Sequence, residues 1–598
     1  MQNSMPGTHG DPYEQDVVNY VPDEISVVVM ATDVDEAEAP RFYEHVRSHL
    51  NRQIVTLLKQ SEGEPESAWE RDFAPVALRK RFLGDRAVLQ PLRRTSRRPS
   101  KDDAREAPAL TPTVRFGRRA GRVSQHMYFQ LGRGSRRLDR DPLQQGLQSV
   151  RELTLLLNRF ALSAPTEPFG SVRWSIKVVA PNWLTVAFQF ACGSPAGLPV
   201  AVDPKAGVGP FQFKGALAQA LQEPAQGEVI LAVLDTCPSQ EAVDKAAARF
   251  SANALLGAMQ RDVRMNAPAL VPTAAYGAHL AGCLPRLQWD VLGGPLHDHP
   301  DEFQMADHGL FVAGVVYQIM ERIGRIHLIR VLNDFGIGDL FAISHALAAL
   351  PRALLGGDEP RAGEPRLVVN LSLGIDLPIP ARLLERWLPH ASRDPDVFRD
   401  KLPDLAATLD QLHGNLADVT DWLTQRGVLA VAATGNDALR PDVPPGAPPP
   451  PRFPARYDDV LGVAATRRDL RTAADYSNRG ELAAAAWPGD IATAGGNIVP
   501  AGAADQPGTT DPGDAVLGIF SADRLPGGAA NRSGWVRWAG TSFATPIVAA
   551  IAARLWATRP TLDAMDVIAW VRGFAQHPHG GADPDAPLEV PVLPVSIP

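Results

Sequence analysis

Four apolar runs constrain the second half of this 598-residue chain more than any other feature. They are EVILAVLD, RIHLIRVL, PRLVVNLSLG and GVLAVAATGN, and helix-patterned segments separate them from about Gly227 onward. A strand apolar on both faces has to be covered on both faces. Alternating such strands with helices is the rhythm of a parallel sheet in an α/β layer structure. In that architecture polar groups collect beyond the carboxyl ends of the strands. Each run ends on such a group: Asp235, Asn333, Ser372 and Gly374, Gly435 and Asn436.

The first 225 residues differ in texture. Residues 1–90 read as an α+β region of unassigned role, with a strand-like run from Ile25 to Met30 and an amphipathic stretch from Ala37 to Lys59. Residues 91–140 hold fourteen Lys/Arg against four Asp/Glu with few aliphatics, so they read as a basic flexible linker or arm. Residues 141–225 read as a helix (Leu147, Val150, Leu153, Leu156, Leu157) followed by a hairpin turned at Pro181-Asn182. Residues 226–576 form the α/β domain, and 577–598 a proline-rich tail. Low-complexity stretches fall at Pro441–Pro451 and Ala494–Asp514.

Composition excludes several classes. No apolar run reaches the ~20 residues of a membrane helix, so no membrane partner is expected. Three cysteines without paired spacing suit a reducing compartment, and no basic-then-apolar leader opens the sequence, so the expected location is cytoplasmic. A net charge of −8 favours no particular partner. The Arg-rich arm reads as a solvated segment rather than a nucleic-acid site. Nothing indicates a cofactor; calcium and oligomeric state are not readable.

Single motifs have ordinary readings. Ser542 in GTSFATP is an N-cap candidate before the apolar helix IVAAIAARLW, with Pro546 placed in its first turn. His308 in DHGLFVAGVV is a helix-start residue, and Asp235 and Asn436 are turn formers at strand ends. Their order, Asp…His…Ser on an α/β chain, is one of the serially distinct versions of the nucleophilic triad.

Taken together, VLDT, HGLFVAG, NLSLG, AATGN and GTSFATP resemble the signature segments of the subtilisin-like (S8) peptidases. RVLNDFGIGDL, FPARYDDVLGVAAT, YSNRG and WPG add smaller matches. The resemblance implies a three-layer fold with a mostly parallel central sheet, preceded here by the separate N-terminal region. It implies a serine endopeptidase acting on protein or peptide substrates, with Ser542 as nucleophile, His308 as general base, Asp235 orienting that base and Asn436 donating to the oxyanion. It also implies that Gly336-Ile337-Gly338 and Ser372-Leu373-Gly374 flank an extended substrate, with Gly435 and Arg452 at the side-chain pocket. Arg452 either faces that pocket, favouring acidic residues, or turns to solvent.

The chain departs from the family pattern at Cys237, where glycine is usual, and at Leu310-Phe311, where Thr-His is usual. The spacer between Gly489 and Ser542 is long and reads as a solvated excursion rather than a lid. Residues 1–225 are expected to restrain or direct the enzyme, or to serve as a prosegment. The rival reading is a catalytically inactive subtilisin-like scaffold with a binding or regulatory role; a chain freed from catalysis has little reason to keep all four site residues.

Overall fold

The computed structural model describes residues 20–32, 34–61, 63, 71, 75–92, 111–117, 122–134, 142–160, 168–187, 197–202, 211–265, 305–320, 323–334, 336–357, 364–375, 387–388, 412–439, 449–478, 491–499, 509–526, 528–575 and 591–597. They divide into two compact units, one of Met1–Arg93, Thr111–Trp183 and Leu377–Asn415, the other of Arg94–Leu110, Leu184–Asp376 and Leu416–Pro598.

The first unit is built on antiparallel pairs. Tyr20–Thr32, rich in β-branched residues, pairs with Arg122–Leu131 on one side and with Trp174–Ala187 on the other, as far as Trp183. Leu89–Pro91 and Thr113–Gly117 share the far edge of Arg122–Leu131. Helix Ala39–Gln60 buries Phe42, Val46, Leu50, Ile54 and Leu58, four residues apart along one face. Helix Pro142–Phe160 buries Leu147, Val150, Leu153 and Leu157. Its Asn158 carboxamide accepts from the Val179 N–H at 2.9 Å and donates to the Val179 carbonyl at 2.6 Å.

Three sequence expectations need correction here. Residues 91–140 are not simply a linker, because Thr113–Gly117 and Arg122–Leu131 are sheet strands. Ser124, Gln125 and His126 are fully buried beside Met127, Tyr128 and Phe129, so polar residues inside the strand erase the period-two signal. Pro181-Asn182 is no hairpin turn: Trp174–Ala187 is one strand, with an irregularity where Pro181 faces Ile25. Asn182 is buried and donates to the Glu24 carboxylate at 2.8 Å. Finally, Leu377–Asn415, expected inside the α/β domain, groups with the first unit.

The second unit holds a seven-stranded parallel sheet in the order Ile491–Ala494, Val460–Thr466, Val428–Ala433, Arg366–Leu371, Val229–Asp235, Gly324–Arg330, Val263–Met265. Every residue of Val229–Asp235, Val428–Ala433 and Val460–Thr466 is buried, so neither face of the sheet there meets water. Helix Thr541–Thr558 packs on helix His308–Met320 and crosses the central strands. Helix Leu340–Leu355 is capped by Asp339, which accepts from the Ala342 N–H at 2.9 Å.

The tail expectation also changes. Residues 591–597 run beside the edge strand, with the Ala492 N–H donating to the Pro591 carbonyl and the Leu593 N–H to the Ala492 carbonyl. Residues 440–448, 479–490, 500–508 and 576–590, which carry most of the proline-rich and Gly/Ala-rich stretches and the WPG motif, lie outside the described residues. Among the described residues no helix is long and apolar enough to cross a membrane.

Candidate active site

Neighbouring strands deliver Asp235, Ser372 and Asn436 to one end of the parallel sheet, and two helix starts deliver His308 and Ser542. Asp235 ends its strand and accepts from the Thr236 N–H at 2.6 Å. The same oxygen, Oδ1, lies 2.7 Å from His308 Nδ1. A carboxylate only accepts, so Nδ1 carries the proton, and in the neutral imidazole this leaves Nε2 as the acceptor. That tautomer is the one a general base needs.

The approach of helix to strand depends on Gly309. A Cβ there would lie 2.0 Å from the Thr236 carbonyl oxygen and 2.8 Å from the Asp235 Cβ. Thr236 ties the junction by accepting from the Gly309 N–H at 2.9 Å. Asp307, also buried, accepts from the Ser521 and Ala522 N–H groups and the Ser521 hydroxyl at 2.6–2.9 Å. Burial pushes its carboxyl above the usual range against those donors.

The His308 ring is walled by Trp538 and Phe543, with centroids 5.6 Å and 5.3 Å away. Phe311, one of the residues that depart from the family pattern, packs on the same two rings at 5.6 Å and 4.5 Å. Cys237 is buried, its Sγ 3.4 Å from the Pro238 carbonyl oxygen. The spacer before Ser542, expected as a solvated excursion, includes in its described part a strand pair, Val516–Ile519 with Trp535–Trp538. That pair supplies one wall of the site.

Ser542 stands in the first turn of helix Thr541–Thr558, among N–H groups with no intrahelical acceptor. Its hydroxyl donates to the Ser372 carbonyl at 3.4 Å. Pro546, expected in the first turn, falls in the second. Asn436 Oδ1 accepts from both the N–H and the hydroxyl of Thr541, at 3.1 and 2.8 Å. This fixes the amide so that Nδ2 is its donor end, one residue from Ser542. Gly435 adopts φ +112, and a Cβ there would lie 2.6 Å from Asn478 Nδ2.

Arg452 does not turn to solvent. It is buried in a two-point pair with Asp437, Nε to Oδ2 at 2.6 Å and Nη2 to Oδ1 at 2.5 Å. Asn478 Nδ2 also reaches Oδ2 at 2.7 Å, and the Arg452 N–H donates to the Thr434 carbonyl at 2.8 Å. The loop carrying Asn436 is thus pinned on one side by Thr541 and on the other by Arg452 and Asn478. Thr541, Asp437 and Asn478 were not singled out from sequence, although Thr541 and Asn478 stand inside GTS and YSN.

Leu184–Ala187, the last four residues of their strand, pair antiparallel with Ile337–Asp339 on one side and Leu373–Ile375 on the other. Ala187 faces Leu373, the neighbour of Ser372. Gly336 joins through its carbonyl, which accepts from the Ala187 N–H at 2.8 Å. The two segments expected to flank a substrate therefore flank a strand of this same chain. His308 and Ser542 are both fully buried.

Residues 298–577 match the model of the subtilase family, peptidase S8. This part of the chain is a subtilase domain. The matched range contains His308, Asn436 and Ser542; Asp235 precedes it, but its strand lies within the same parallel sheet. A solved structure described as a lanthipeptide protease is similar at 17% identity, over 62% of this chain and 87% of that one, with a TM-score of 0.35. No curated protein matches the sequence. The subtilase domain supports a serine peptidase function, and with it protein or peptide substrates. Among the described residues no group of three or more His, Cys, Asp or Glu side chains is placed to hold a metal ion.

Proposed function

We propose that the chain is a serine endopeptidase whose N-terminal region restrains it through the strand ending at Ala187. The observation carrying the chemistry is the 2.7 Å contact of His308 Nδ1 with Asp235 Oδ1, with Phe543, the residue after Ser542, packed on the His308 ring. His308 Nε2 takes the Ser542 hydroxyl proton as Oγ attacks the scissile carbonyl. The oxyanion accepts from Asn436 Nδ2 and the Ser542 N–H. Collapse expels the amine, which receives the proton from Nε2. Water, deprotonated by the same nitrogen, then hydrolyses the acyl-enzyme. Asp235 holds the tautomer and stabilises the imidazolium. The buried Asp437–Arg452 pair supports a pocket without a free guanidinium, so no acidic preference is proposed. The sparse cysteines support a reducing, cytoplasmic setting.

Restraint is supported by Leu184–Ala187, which takes both backbone edges an extended substrate would use. Thr185→Pro removes an N–H and the fit between Gly338 and Ile375. Turnover of a protein substrate by the full chain should rise at least about tenfold with this change, and adding His308→Ala should abolish it. Unchanged turnover in a folded Thr185→Pro chain would remove the restraint; turnover surviving His308→Ala would remove the mechanism.

A further inference from the structure

The carbonyl of Ser542 has an unusual partner. In a regular helix it would accept from the N–H of residue 546, but that residue is Pro546, which has no N–H and whose ring crowds the carbonyl four residues back. Ser542 and Pro546 are both buried, and a buried carbonyl released in this way needs another donor. Ser372 supplies it: its hydroxyl donates to the Ser542 carbonyl at 2.8 Å. Asn370, in the strand Arg366–Leu371 that leads into Ser372, donates Nδ2 to Ser372 Oγ at 3.0 Å. With one lone pair engaged by Asn370, the Ser372 proton is directed at the helix. In the return direction the Ser542 hydroxyl donates to the Ser372 carbonyl, so the two serines clasp each other through both side chains and both carbonyls.

We propose that the Ser372 side chain, keyed by Asn370 and made necessary by Pro546, is a positioning residue that sets the first turn of the helix and with it Ser542 Oγ and the Ser542 N–H. This role belongs to the Ser372 hydroxyl and is separate from the substrate-flanking backbone of Ser372-Leu373-Gly374. The inference rests on reading Ser542 as the nucleophile. A hydrophobic isostere at 372 keeps the strand and loses the clasp, whereas an N–H restored at 546 offers the carbonyl its helical partner again.

A four-protein cycle of the full chain tests this: wild type, Ser372→Ala, Pro546→Ala and the double variant. Ser372→Ala should lower kcat about tenfold or more with KM within about twofold, because the lost interaction orients the reacting serine rather than binding substrate. In the Pro546→Ala background the same change should have at least about threefold less effect, since the Ala N–H takes the carbonyl. The unfolding temperature should show coupling of the same sign, a readout that needs no turnover. Equal losses in both backgrounds, in kcat and in unfolding temperature, overturn the proposal. A chain whose Ser542 takes no fluorophosphonate defeats both this inference and the functional reading. One that is labelled but shows no coupling defeats this inference alone.

Discussion

Strand Val428–Ala433 of the parallel sheet is wholly buried and contains no polar side chain, whereas Arg122–Leu131 of the N-terminal sheet buries Ser124, Gln125 and His126 in its middle. In the first case the polar groups begin where the strand stops: Thr434, Gly435 and Asn436 follow directly. In the second they are enclosed along the strand itself. Apolar strands need only dispersion and burial, so their chemistry is displaced to the ends, where helix starts meet it. Polar side chains enclosed along a strand leave no such terminus. This difference separates a region built to present reactive groups from one built to hold a particular shape.

The ion pairs of the two regions sharpen the contrast. Arg452–Asp437 is two-pointed, buried on both sides and shared with Asn478. Arg81–Asp23 is single-pointed at 2.5 Å, with Asp23 partly exposed and Arg81 also donating to the Gly132 carbonyl. Removing one partner of a buried pair strands the other charge, so Asp437→Ala should destabilise by about 3–5 kcal/mol. Asp23→Ala should cost only about 1–2 kcal/mol, because the guanidinium keeps its carbonyl partner. Denaturant titration of both variants checks the order. Equal losses would mean the two pairs are energetically alike.

A smaller effect concerns pH. Burial pushes the Asp459 carboxyl up to about 6 from an ordinary 3.8, while the Thr420 and Thr424 hydroxyls at 3.3–3.4 Å only partly offset it. The native state then binds the proton more tightly than the unfolded chain. The associated stability is present below about pH 4 and is lost as pH rises through 6. Asp459→Asn should be more stable than wild type by about 1–2 kcal/mol at pH 8, the gap closing towards pH 4. Parallel melting temperatures across that range would contradict this.

How far the sequence could be read follows from the same contrast. Asp235, His308, Asn436 and Ser542 were readable because each stands next to an apolar run or a glycine that marks an element boundary. Thr113–Gly117 and Arg122–Leu131 were not, because arginines dominate that stretch and the buried polar residues break its alternation. The strand Trp174–Ala187 was divided at Pro181-Asn182, since a Pro-Asn pair has the composition of a turn, yet the Asn182 side chain is spent on Glu24. Asp437 as the partner of Arg452 was hidden by the proline-rich stretch between them. The Ser372–Ser542 clasp spans 170 residues, and no local pattern encodes a contact of that range.

Whether Ser542 acts as a nucleophile activated by His308 is tested by site mapping of a fluorophosphonate adduct. The probe should be applied to the full chain and to its Thr185→Pro variant, followed by peptide mass analysis. One adduct is expected, on Ser542, faster in Thr185→Pro and lost in His308→Ala. An adduct on another residue that persists in Ser542→Ala, or none in a folded Thr185→Pro chain, would contradict it.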